Sequence, residues 1–338
     1  NLFVSVCVLV LALSSEILFG SSNFKISQFV FFATLFIYNF QRIIRISNGH
    51  HHSRKDWTYK NKNLIYLLMT IGSVLSFYWF IDFNINTQIA IVISGVLSIL
   101  YPFGIRKVPF SKIFVISLVW TISTMLLLVL ENEIEISQNI ILHLLSRFLF
   151  VFAITIPFDI RDIKYDQNNL KTIPIVFGVK KSIIISLVSL LISEVIFVYL
   201  NIKHLLSLTI FIGIIPTYIF SIYLIINSSN KESDFYFSFW VESLSIIFYL
   251  FLSLSFDVIN HILTFTAIKT AQALKLGYDT ASLAINKMKE RSLKKQGNEQ
   301  KKNLLTTIAD SVARITGMSA STLGVASVIA LAAGAAAY

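Results

Sequence analysis

Nine long apolar segments constrain what this chain can fold into. They fall at about 2–20, 27–46, 63–82, 86–101, 112–131, 138–158, 181–200, 204–227 and 235–257. Each is roughly the length that carries a helix across ~30 Å of hydrocarbon, although the fourth is short. Strands of a membrane barrel need only about 9–11 residues, so these runs read as helices. Charged residues make up 14% of the chain, against roughly 25% in soluble domains. The expected fold is an all-α membrane protein: a nine-transmembrane-helix bundle over 1–257 with a helical C-terminal extension over 258–338. The first segment is read as a retained helix rather than a signal-peptide core, because no basic stretch precedes it.

The formal net charge is +10. Its distribution points to a lipid bilayer and not to nucleic acid. Arg42, Arg45, Arg54, Lys55, Lys60 and Lys62 share one set of loops with Arg106, Lys107, Lys112, Arg161, Lys164, Lys171, Lys180, Lys181 and Lys231. The opposite loops hold only Lys25 and Lys203. The basic side is expected to be cytoplasmic, with the N-terminus on it and the extension on the other. The single cysteine, Cys7, lies in an apolar run and offers no intrachain disulfide, redox or metal chemistry.

Composition changes near position 258. Four alanines precede it and fifteen follow, whereas of 29 phenylalanines only Phe265 lies beyond 257. Ile268, Ala271, Leu274, Tyr278, Ala281, Ile285 and Met288 recur at helical steps, as do Leu305, Ile308, Val312 and Ile315. The polar run 294–302 reads as a linker between these two amphipathic helices. The tail Met318–Tyr338 reads as a weak tenth span, a close-packing helix or a surface helix. The extension is expected to be a separate or fused module, and its stripes leave room for a helical protein partner.

The chemistry concentrates in Asp159-Ile-Arg-Asp162-Ile-Lys-Tyr-Asp166. If the preceding helix continues, these carboxylates at i, i+3 and i+7 share one face. Like charges stacked there repel, so a cation between them is expected. Mg2+ is a candidate, since it takes one or two carboxylates and completes its shell with water and phosphate oxygens. A solvated helix end held by Arg161 and Lys164 is the plainer reading.

These residues, followed by Leu170-Lys171-Thr172-Ile173-Pro174, resemble the second aspartate-rich motif of the UbiA-type intramembrane prenyltransferase superfamily. Tyr101-Pro102-Phe103-Gly104-Ile105-Arg106-Lys107 is similar to that family's turn after helix four. The resemblance covers about 1–257. It implies transfer of an isoprenoid chain from a prenyl diphosphate to a lipophilic, aromatic-type acceptor. It further implies Mg2+ on Asp159, Asp162 and Asp166, with diphosphate contacts from Arg106, Lys107 and Lys171. The first motif departs from the family. At Asn39-Phe40-Gln41-Arg42-Ile43-Ile44-Arg45-Ile46-Ser47, only Asn39 remains, and Phe40, Ile43 and Ser47 stand at the aspartate positions. Two readings follow. Either Arg42 and Arg45 supply the lost positive charge to a prenyl diphosphate, or the protein binds a lipid, quinone or isoprenoid without turnover. Snorkelling at a helix end is the ordinary role of such arginines.

Other features weigh less. His50-His51-His52 reads as a solvated loop, because consecutive histidines project apart. Glu16, Arg147, Glu194 and Glu242 lie within spans. Arg147 is expected to pair with Glu194 or Glu242. A transport pathway through them is a third class of function, although no inverted repeat supports it. Most aromatics, including Tyr78, Trp79, Trp120 and Trp240, are expected in the core or against lipid.

Overall fold

The computed structural model describes residues 1–21, 23–47, 55–166, 170–231 and 233–293. It divides into one compact unit from Asn1 to Phe256 and a second from Asp257 to Tyr338. Regular structure among the described residues is helical throughout. In chain order, the helices are α1 (Leu2–Phe19), α2 (Lys25–Ser47), α3 (Lys55–Lys60), α4 (Lys62–Asp82), α5 (Ile85–Leu100), α6 (Ser111–Thr121) and α7 (Leu127–Glu131). They continue with α8 (Gln138–Arg161), α9 (Ile163–Asp166), α10 (Ile173–Phe177), α11 (Val179–Ile202), α12 (Leu208–Asn227) and α13 (Leu244–Leu293).

Seven helical stretches among the described residues are long and apolar enough to cross a membrane. Two expected spans lie outside that set. Helix α5 has 16 residues, about 24 Å at 1.5 Å per residue. Helix α2 has 23 residues, with Asn39, Gln41, Arg42 and Arg45 in its second half.

Two π-helical turns interrupt the framework. Ile122–Leu126 joins α6 to α7, and Tyr236–Val241 precedes α13. Such turns free backbone groups that neighbours must satisfy. The Ser15 hydroxyl of α1 donates to Thr124 O at 2.6 Å. Pro157, inside α8, cannot donate to the carbonyl four residues back. That carbonyl, Ala153 O, accepts instead from the Ser186 hydroxyl of α11 at 2.7 Å. Buried serines on helix faces thus let helices approach and bond across the gap. Ser146 and Ser193 meet at 2.8 Å, and Ser193 meets the Tyr218 hydroxyl at 2.6 Å.

Helices α2 and α4 touch where Gly72 faces the α2 backbone. A Cβ built there would lie 2.8 Å from Phe32 O and 3.0 Å from Phe36 N. Backbone cannot give way as a flexible side chain does. Gly72→Val is therefore expected to cost about 1–3 kcal/mol, the usual penalty of overpacking, and to lower the melting temperature of the detergent-solubilised protein. An unchanged melting curve would show that the two helices do not meet there.

The second unit is described only over its helical residues 257–293. Of the expected stripe, Ile268, Tyr278 and Ile285 are exposed, and Ala271 and Leu274 are half-buried. The side chains of Ala281 and Met288, the second amphipathic helix, the linker and the tail lie outside the described residues. So does His50-His51-His52.

Candidate active site

The acidic motif does not lie on one continuous helix. Helix α8 ends at Arg161, Asp162 sits at its C-cap, and α9 starts at Ile163. The Asp166 N–H donates to Asp162 O at 2.9 Å, which closes a tight turn. The three carboxylates converge nonetheless, because a cation holds them. That cation is Lys112, in the first turn of α6. Its Nζ lies 2.8 Å from Asp159 Oδ1, 3.3 Å from Asp162 Oδ2 and 2.9 Å from Asp166 Oδ2. Asp162 and Asp166 accept true hydrogen bonds from it. The Asp159 contact is ionic only, and neither of that buried carboxylate's oxygens accepts a well-directed hydrogen bond. As they stand, no three acidic, histidine or cysteine groups among the described residues are arranged around a metal position.

Two arginines complete the cluster. Arg106 Nη2 donates to Asp166 Oδ1 at 2.9 Å, while its buried Nε has no partner. Arg161 Nε donates to Asp162 Oδ1 at 2.8 Å, and its guanidinium lies 5.4 Å from the Phe158 ring centre and 5.7 Å from that of Phe237. Burial alone would raise the pKa of Asp162, but Lys112 and Arg161 outweigh it and hold the carboxyl below its ordinary value.

Local backbone geometry positions Lys112. Phe110, just before α6, adopts a left-handed conformation at φ 61°, which a bulky residue holds only when its surroundings enforce it. Its N–H donates to Lys171 O at 2.9 Å, and the Ser111 hydroxyl donates to Val108 O at 2.8 Å. The Tyr101-Pro102 turn and the segment after the acidic motif therefore meet at the base of α6.

The cluster forms the mouth of two chambers. The first, about 450 Å³, is mainly apolar and runs past Phe29, Phe77, Phe80 and Leu127. The second, about 550 Å³, is more polar and includes Thr155, Asp234, Ser238, Glu242 and Ser245. Arg42, Arg106, Lys112 and Asp162 line both chambers. So do Tyr38 and Trp120, whose indole N–H donates to the Tyr38 hydroxyl at 3.0 Å. Glu242 shares the wall of the second chamber with Arg161, whose charge acts on it electrostatically.

The other expected site residues fall elsewhere. Asn39 is buried away from the chamber walls; it donates to Leu35 O at 2.7 Å and accepts from Asn1 Nδ2 at 2.8 Å. The Lys171 side chain is exposed and lines neither chamber. The side chains of Arg45 and Lys107 lie outside the described residues. Arg147 pairs with neither Glu194 nor Glu242. It donates to Leu11 O at 3.1 Å, Ser14 Oγ at 2.9 Å and Ser15 Oγ at 3.1 Å, and lies 5.1 Å from the centre of the Phe248 ring.

Lys112 was not singled out from the sequence; it read as one more basic loop residue. Its position was the available signal. It stands at the start of an apolar run, between the Tyr-Pro turn and the acidic motif.

Fold and site together define a multi-pass integral membrane protein whose ion-paired mouth opens on two chambers. The chain belongs to the UbiA prenyltransferase family, whose model matches residues 60–256. The structure is similar to the apo structure of a UbiA homolog from Aeropyrum pernix K1, at 15% identity and TM-score 0.58, covering 75% of this chain and 97% of that one. It is also similar to a UbiA homolog from Archaeoglobus fulgidus bound to GPP and Mg2+, at 15% identity and TM-score 0.50, covering 76% and 96%. No curated protein matches the chain.

Proposed function

We propose that this protein transfers an isoprenoid chain from a prenyl diphosphate to a lipophilic acceptor, aromatic in type, inside the membrane. The observation that carries this reading is the wall shared by the two chambers. A diphosphate at Arg42, Arg106 and Lys112 would leave its chain in the apolar chamber, with its reacting carbon near the entrance of the second. Guanidinium groups bind phosphate oxygens bidentately and stay charged. As the allylic C–O bond breaks, the electron pair leaves with the diphosphate, and these cations stabilise the charge that develops on it. The acceptor then forms the new bond to carbon and releases a proton. Glu242, on the wall of the second chamber, is our candidate to take it. Tyr38 and Trp120 offer aromatic faces to a cationic intermediate between the chambers.

The donor set fits Mg2+. Two carboxylates suffice for this ion, and the buried oxygens of Asp159 lack hydrogen bonds. Asp159, Asp162 and Asp166 would hold it, and when bound it would neutralise charge on the leaving diphosphate. GPP with Mg2+ in the Archaeoglobus fulgidus homolog supports this reading. We read the bundle as crossing the bilayer nine times, with the N-terminus and mouth cytoplasmic. Residues 258–338 then lie on the other side as a separate module, open to a helical partner.

One observation favours a second reading, in which the cavity binds an isoprenoid, quinone or lipid without turnover. Asn39, the remnant of the first motif, is engaged by Asn1 and Leu35, and the segment 39–47 holds no carboxylate. Thermal melting with geranyl diphosphate, with and without Mg2+, tests both. Ligand at 100-fold its Kd stabilises the folded state by about 2.7 kcal/mol. A Mg2+-dependent shift that is lost in Asp162→Asn is the expected result. A shift indifferent to both would favour the binder.

A further inference from the structure

Lys112 occupies the position between the carboxylates that a divalent ion would need. It is only 8% exposed, and its ammonium touches all three acidic groups. It also lines both chambers, so a small rotation of its flexible stem brings it to whatever enters the mouth. The cluster is balanced as it stands. Asp159, Asp162 and Asp166 face Lys112, Arg106 and Arg161. A divalent ion arriving alone must expel a buried ammonium that then has no partner. A diphosphate arriving alone finds the same ammonium already engaged. When both arrive, the ion can take the carboxylates and the ammonium can move to phosphate oxygens, which leaves no charge unpaired.

We infer that Lys112 is an exchangeable tethered counter-ion that makes binding of a divalent cation and of a diphosphate cooperative. The inference rests on the proposed reading only in taking diphosphate as the anion. The unpartnered, buried Arg106 Nε marks a second donor left available to that anion. Coupling of this kind is reciprocal: each ligand raises the affinity of the other by the same factor.

The test is a titration of Mn2+ into the full-length detergent-solubilised protein, followed by the electron paramagnetic resonance signal of free Mn2+. It is run with and without geranyl diphosphate, for wild type and Lys112→Met. Wild type is expected to bind Mn2+ at least about 10-fold more tightly with the diphosphate, a difference of about 1.4 kcal/mol. In Lys112→Met, Mn2+ alone is expected to bind at least about 10-fold more tightly than in wild type, and the coupling is expected to vanish. Independent binding of the two ligands to wild type overturns the inference while leaving the transferase reading intact, and that arm holds even if Lys112→Met does not fold. Tighter Mn2+ binding by folded Lys112→Met without any diphosphate binding supports the competition and removes the prenyl diphosphate reading. Equal or weaker Mn2+ binding by folded Lys112→Met overturns the inference.

Discussion

Asp166→Ala is expected to lower prenyl transfer by at least about 100-fold, within the range reported for deleting one preorganised electrostatic partner at a reacting centre. Asp166 is 5% exposed and joins two cations, accepting from Arg106 at one oxygen and from Lys112 at the other. No other carboxylate in the cluster has both partners. Among the described residues, its removal leaves Arg106 without an ion pair and releases Lys112 from the only acceptor that holds it within 3 Å in a hydrogen bond. The two groups that would contact a diphosphate then lose their common support, and small displacements at such a centre are costly. Single-turnover measurements with labelled geranyl diphosphate, beside melting curves of the free protein, separate this from unfolding. A variant that folds, binds and reacts like wild type would show that the mouth is not the reacting centre.

Arg147→Ala is expected to destabilise the bundle by about 2–5 kcal/mol, as other long side chains cut to alanine in cores do. Arg147→Met is expected to cost much less. The contrast follows from what surrounds the guanidinium. Its partners are a carbonyl and two hydroxyls of α1, not a carboxylate, and the hydroxyls have acceptors of their own: Ser14 donates to Leu11 O at 2.6 Å and Ser15 to Thr124 O at 2.6 Å. Methionine fills much of the space and orphans little, whereas alanine leaves a void. Replacing a buried charge by an apolar group of similar volume is often neutral or better. Melting of both variants in one detergent reads the difference. If the two are equally destabilised, the charge itself holds α1 to α8. If both are stable but inactive, Arg147 belongs to the site.

What the sequence revealed, and what it concealed, can be traced to individual residues. Asp159, Asp162 and Asp166 were legible because they crowd one short stretch at the end of an apolar run. Their need for a cation was legible for the same reason. The identity of the cation was not. Lys112 precedes Asp159 by most of two helices, and the segments meet through the Phe110 N–H on Lys171 O and the packing of Ile113 against Phe152, Ile156 and Ile173. Arg147 was misread because a search for opposite charges overlooks hydroxyls and carbonyls; Leu11 O, Ser14 and Ser15 accept its hydrogen bonds. Asn39 stood out as the remnant of a motif, but its amide is engaged by Asn1, a residue with no distinguishing feature in sequence. Helix α5 was legible as an apolar run, and so was its shortness, because its bounds follow directly from the apolar residues. The chambers themselves were beyond reach, since they depend on the relative rotation of helices.

The two π-helical turns contribute to the chamber lining by shifting the phase of the side chains that follow them. A helix advances about 100° per residue, and a π-turn amounts to one residue inserted without breaking the rod. Side chains on either side of Ile122–Leu126, or of Tyr236–Val241, are therefore out of phase with a single helical wheel drawn through them. Glu242 and Ser245 follow the second turn directly, and both face the second chamber. A relative lacking that insertion would present different residues at the same wall, even where its sequence aligns without a gap. Chamber linings in such relatives should be matched by phase around the helix axis, not by column in an alignment.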